Sequence, residues 1–133
     1  MRQRDMNARR DRWEREDAAP RLKQLVPELE SLRVSLVENR GAYPITGTRR
    51  VQYVKIDTAS THFEVPCGES SCQGGGHDLS QAMTPRLRNR RPEFSGSSEC
   101  NGAIGGGHPC TRRLEYSFEA KYSSIGSGRV VGA

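Results

Sequence analysis

The chain has 133 residues, of which 33% are hydrophobic and 6% aromatic, well under the roughly 45–50% apolar content of ordinary globular domains. That excludes two sizeable cores and leaves one small domain, of a size that gains much from a bound metal or from oligomerisation. The formal charge of +5 invites a nucleic-acid reading, yet four thiolates around one divalent zinc bring it down to about +3.

Residues 1–19 alternate Arg with Asp and Glu around a lone Trp13. Such a composition supports an exposed charged helix or a disordered arm that buries little. It contains no apolar stretch of the length that a signal peptide or a membrane span requires, so the expectation is a cytoplasmic protein with no membrane partner.

From Pro20 the sequence carries a seven-residue near-repeat that places Leu22, Leu25, Leu29, Leu32 and Leu36 in 3-4 spacing. This predicts an amphipathic helical segment over 20–40, kinked or restarted at Pro27 and stopped at Gly41. The stripe either covers the protein's own sheet or recruits a partner or a second copy.

After a turn-rich stretch at 41–47 the period becomes two. Val51, Tyr53 and Lys55 alternate with Gln52, Val54 and Ile56, predicting a strand over 48–56, and a second strand is expected over 62–66. Asp78 with Gln81 has the form of a capping box ahead of Leu79, Met83 and Leu87, predicting a helix over 79–90. Pro85 would bend that helix unless its first turn starts near Thr84. Residues 93–96 read as a short strand. The clearest strand is 112–122, where Leu114, Tyr116, Phe118, Ala120 and Tyr122 alternate with polar residues. The tail 124–133 reads as flexible. The predicted class is α+β: N-terminal helices, then a small antiparallel sheet with one crossing helix in a zinc-binding domain over 48–123.

Cys67, Cys72, Cys100 and Cys110 fall as two close pairs, C-x4-C and C-x9-C. Each pair lies in a glycine-containing loop near a predicted strand end, which is how four soft ligands converge on one tetrahedral Zn²⁺. In a reducing compartment such pairs favour a metal over disulfides, whereas in a secreted protein they would allow three connectivities. The word GGGH occurs twice, ending at His77 and at His108. His108 is the reserve ligand; His77 reads as a loop or cap residue.

These residues resemble the broad class of small bacterial zinc-ribbon-like proteins. They are also similar to an uncharacterised bacterial group with the shape strand-V-P-C-x4-C-x-G-G-H-D-L-helix, then C-x-G and a final C-x-R-x-L-x-Y strand. The matching residues are Val65 to Cys67, Cys72, Gly75 to Leu79, Cys100 to Gly102, and Cys110 to Tyr116, about half the chain. The resemblance implies zinc binding and carries no activity over to this chain.

Four cysteines close the coordination sphere, where a catalytic zinc keeps an open position. H-E-x-x-H, the deaminase motif and a Walker A loop are absent, and C-x4-C is not the C-x-x-C of thiol oxidoreductases. The expectation is a non-enzymatic protein without a small-molecule substrate. Two kinds of partner remain. Arg86, Arg88, Arg90, Arg91, Arg112 and Arg113, with Arg49 and Arg50, would contact phosphates of RNA or DNA if they gather on one face, with Phe63, Phe94, Tyr116, Phe118 and Tyr122 as possible stacking platforms. Alternatively the chain is a protein-interaction or assembly module that self-associates through the Leu22 to Leu36 helix.

Overall fold

The computed structural model describes residues 3–40, 43–69 and 72–123; the stop expected at Gly41 and the tail 124–133 lie outside them. Helix α1 spans Gln3–Ala18, so the charged arm is helical there. Its exposed turns carry no apolar stripe, and it is held at its C-terminal end. The Arg21 guanidinium donates to the carbonyls of Glu16, Asp17 and Ala19, groups that lack donors within the helix. Arg15 grips the Glu64 carboxylate with two nitrogens.

Helix α2 is a single turn, Leu22–Leu25, and from Leu29 the chain runs as strand β1, Leu29–Arg40. The amphipathic helix expected over 20–40 does not form, and no Leu22–Leu36 helix is present to mediate self-association. Pro27 ends the helical turn. Beyond it Leu32, Val34 and Leu36 keep a period of two and are all buried. A register shift between Leu29 and Ser31 returns Leu29 to the same buried side, so leucines in 3-4 spacing fit a bulged strand as well as a helix. Leu25 alone of the five stays exposed.

Strand β2, Tyr43–Tyr53, pairs antiparallel with β1. It starts within the stretch expected to be turns and stops short of residue 56. Strand β3, Glu64–Val65, pairs with β4, His77–Asp78, as a separate ribbon, so the strand expected over 62–66 shrinks and leaves the main sheet. Helix α3, Ser80–Arg88, passes through Pro85, which is exposed. Asp78 accepts hydrogen bonds from the amide and hydroxyl of Ser80; the expected Asp78–Gln81 box is replaced by this tight turn. Strand β5 is Glu93–Glu99, β6 is Ala103–Ile104, β7 is His108–Pro109 and β8 is Arg112–Tyr122.

The main sheet is antiparallel in the order β2-β1-β8-β5. The folded α+β unit therefore takes in residues 20–40 rather than starting at 48. One sheet face is covered by α2 and α3 and the segment between β2 and β3: Leu22, Val26, Leu32, Val34, Leu36, Met83, Leu87, Leu114 and Phe118 form one buried cluster. Phe118 is its centre, stacked on Phe94 at 4.8 Å and meeting Phe63 and Tyr116 edge-on at 5.9 and 5.7 Å. These rings, with Tyr122 packed against the cluster, are engaged in the core and do not stand ready to stack on bases. The opposite face is open and mostly polar, with Val51 and Tyr53 exposed on β2. Among the described residues no helix is long and apolar enough to cross a membrane.

Candidate metal centre

Topology brings the cysteines to one end of the sheet. Cys67 follows β3, Cys100 follows β5, and Cys110 precedes β8. Backbone bonds tie their loops together: Gln73 and Ala103 exchange N–H···O bonds of 2.8 and 3.1 Å, the Cys110 amide donates to the Gly102 carbonyl, and the Cys100 amide to the Arg112 carbonyl. The loop carrying Cys72 is thereby locked to the loop carrying Cys100.

The four Sγ atoms lie within 4.8 Å of one another, with Cys67 to Cys110 at 3.7 Å and Cys72 to Cys100 at 3.5 Å. Sulfurs at about 2.3 Å from a tetrahedral ion stand about 3.8 Å apart, whereas a disulfide brings them to about 2.05 Å. All four are free thiols, and the spacing fits a metal. The first cysteine of each pair has the same backbone environment: the Glu69 amide points to the Cys67 sulfur and the Gly102 amide to the Cys100 sulfur, each at 3.4 Å. Such amides offset thiolate charge, as outer-shell partners of a metal centre do.

Crowding four thiols has an electrostatic cost. Burial pushes the Cys67 thiol up, helped by Cys110 and Cys100 and opposed by the Glu69 amide. Burial, then Cys100 and Cys110, push Cys72 up to about 11. Cys100 is held below its ordinary value: burial works against this, but the Gly102 amide and the neighbouring thiols outweigh it. The set cannot carry four negative charges without a cation among them.

Two glycines shape the cradle. A Cβ on Gly75 would lie 2.6 Å from the Cys72 sulfur and 2.9 Å from the Gly102 amide, besides striking the Cys100 sulfur, and a Cβ on Gly102 would lie 2.6 Å from the Cys72 sulfur. In the sequence these are two of the glycines in the cysteine loops, and the close approach that requires them has no local signature. Glu38 was missed as well. It accepts the Gly68 amide at 2.8 Å and lies 3.9 Å from Arg112, which also pairs with Glu69 at 3.1 Å. This group fastens the Cys67 loop to the ends of β1 and β8.

Neither histidine of the GGGH words joins the clustered ligand atoms. The reserve ligand His108 is exposed on β7. His77 is 1% exposed, its Nδ1 is 3.0 Å from the Ser98 hydroxyl, and burial lowers its pKa against the opposing pull of Glu38. An unfolded chain protonates His77 near pH 6.5, while the folded chain resists until lower pH. Stability from this group is therefore present above pH 6.5 and drains away below it. Urea titrations between pH 8 and pH 5 are expected to show a slope up to about 1.4 kcal/mol per pH unit shallower in His77→Gln than in the parent. Equal slopes would mean that His77 takes up its proton as readily in the folded chain as in the unfolded one.

The expected basic patch does not assemble. Arg90 pairs with Glu28 at 3.0 Å, Arg112 pairs as above, Arg86 donates to the Ala82 carbonyl and lies over the Phe94 ring, and Arg113 donates to the Ser97 hydroxyl. Arg88 and Arg91 are exposed. The 86–91 group adjoins the last residues of β8, where the Ala120 amide bonds the Pro92 carbonyl. Arg112 and Arg113 open that strand, about 26 Å away at roughly 3.3 Å per residue. No protein-family model, curated protein or solved structure matches this chain.

Proposed function

We propose that the protein is a non-enzymatic binding module whose fold is closed by one structural Zn²⁺ on Cys67, Cys72, Cys100 and Cys110, and that its partner is another protein. The observation that carries the metal assignment is the thiol cluster itself: sulfurs at tetrahedral spacing, two of them facing backbone amides. A four-thiolate sphere leaves no position for substrate or water, which supports a structural role. Zinc and iron both accept four thiolates; the closed site in a chain with little core favours redox-inert zinc.

A protein partner is favoured because the arginines first assigned to phosphate contacts are separated, with Arg90 and Arg112 held in ion pairs, and because the open sheet face is balanced. Arg33, Arg49, Arg113 and Lys121 share that face with Glu93, Glu99, Glu115 and Glu119, and acids over β8 and β5 repel a phosphate backbone. One observation supports RNA or DNA as a second reading: exposed Trp13 and Tyr53 line the same cleft as Arg50 and Lys55, the ingredients of a single-strand stacking site.

Native mass spectrometry before and after acid denaturation, with elemental analysis of the released metal, tests the assignment. One zinc per chain and four free thiols are expected, with a melting temperature that falls on chelation. Iron in place of zinc would overturn the metal's identity. No metal and two disulfides would overturn the site.

A further inference from the structure

Strand β2 is an edge of the main sheet, and among the described residues nothing pairs with its outer side. The Val54 amide donates to the Leu32 carbonyl, so by alternation the main-chain groups of Arg49, Val51 and Tyr53 point away from β1, free to accept another strand. Among the described residues, the large apolar side chains left exposed are Trp13 at 62%, Leu25 at 37%, Val51 at 47% and Tyr53 at 74%. Three of these gather at this edge. Val51 and Tyr53 stand on the open face of β2. On its other face Arg50 and Gln52 look into a cleft of about 430 Å³ whose lining includes Trp13, Tyr53, Lys55 and Phe63. A strand added to β2 would thus find a surface for its alternate side chains on both faces.

Charge selects the occupant. Arg49, Arg50 and Lys55 are exposed and make none of the ion pairs found among the described residues. Two copies of β2 paired about Arg49 or Arg50 would set arginine opposite arginine, a destabilising cross-strand pair, and pairing about Val51 overlaps only a short stretch before the chain leaves the sheet after Tyr53. Acidic side chains answer the same cations. Glu16, Asp17 and Glu64 also line the cleft, so the partner's acids belong beside Arg49, Arg50 and Lys55 and an apolar group belongs beside Trp13.

We infer that β2 is a docking edge for an extended segment of a partner protein, in which acidic residues alternate with apolar ones and which pairs in β fashion with residues 49–53. This rests on the protein-binding reading above. Main-chain bonds supply affinity in such an addition, and the alternate pockets supply selectivity.

The test uses the zinc-loaded full chain and a synthetic Glu-Val-Glu-Phe-Glu-Val-Glu peptide. Trp13 is the single tryptophan and reports binding by fluorescence, while hydrogen exchange reports the amides of 49–53. The expected result is a saturable Trp13 signal, slowed exchange at Arg49, Val51 and Tyr53, at least ten-fold weaker binding by Arg49→Glu/Arg50→Glu with zinc content unchanged, and loss of binding when alternate peptide amides are N-methylated. No binding by the peptide overturns the docking edge. Binding that survives both the charge reversal and N-methylation overturns the edge and leaves the protein-binding reading standing. Saturation by a single-stranded oligonucleotide, with no response to the peptide, overturns both.

Discussion

Cys110→Ser is expected to lower zinc affinity by at least about a hundred-fold and to leave a chain that melts without cooperativity at temperatures where the parent is folded; His108→Ala is expected to change neither. Loss of outer-shell partners typically costs 10–100-fold in metal affinity, and loss of a thiolate removes a direct bond. Cys110 is 7% exposed and its sulfur is 3.7 Å from that of Cys67, whereas His108 lies outside the cluster. The stability effect follows from where Cys110 sits. It leads directly into β8, which pairs with both β1 and β5. Loosening this end frees the loops that hold Cys67, Cys72 and Cys100 and exposes the start of the central pairing. Structural zinc sites contribute on the order of 10 kcal/mol to the folding of small domains, as much as the whole stability of an ordinary one. Competition with a chromogenic chelator, and thermal unfolding followed by circular dichroism, measure the two effects. Full zinc retention in Cys110→Ser, or zinc loss in His108→Ala, would show that the ligand set is wrong.

The cysteines were legible because their chemistry is written in residue type, and β8 because its alternation is strict and its inner positions are buried as the period requires. The leader of β1 was not. Leucines at 22, 25, 29, 32 and 36 match a helical stripe, and only the bulge near Leu29 reveals that a strand buries Leu29, Leu32 and Leu36 on one side. Such a bulge answers to the neighbouring strand and has no local signature. The arginines failed for a related reason. Arg90 and Arg112 looked free in sequence because their acids lie far along the chain: Glu28 for Arg90, Glu38 and Glu69 for Arg112. Ion pairs of that separation are products of topology, so a count of local charges cannot reveal them. The edge of β2 was hidden too, since its position depends on β1 taking the centre of the sheet.

The glycines of the cradle supply the second large effect. Gly75→Ala is expected to weaken zinc binding by at least ten-fold and to cost about 1–3 kcal/mol of stability, as overpacking does, while Gly105→Ala is expected to be silent. Gly75 has no left-handed backbone conformation to preserve, so an alanine there is opposed only by what its methyl group meets: the sulfurs of Cys72 and Cys100 and the Gly102 amide. None can retreat cheaply. The sulfurs are fixed by their place in the cluster, and the Gly102 amide is committed to the Cys100 sulfur. Gly105 provides the matched control, because a Cβ there meets nothing within 4 Å and its backbone is equally unstrained. Gly74→Ala separates the two causes, since it too meets nothing within 4 Å but has φ of +71°, a conformation costly to any residue with a side chain. It is expected to lose stability with zinc affinity nearly intact. If Gly75→Ala instead binds zinc as tightly as the parent, the loops around Cys72 and Cys100 are not in contact, and the four thiols do not converge as a single site.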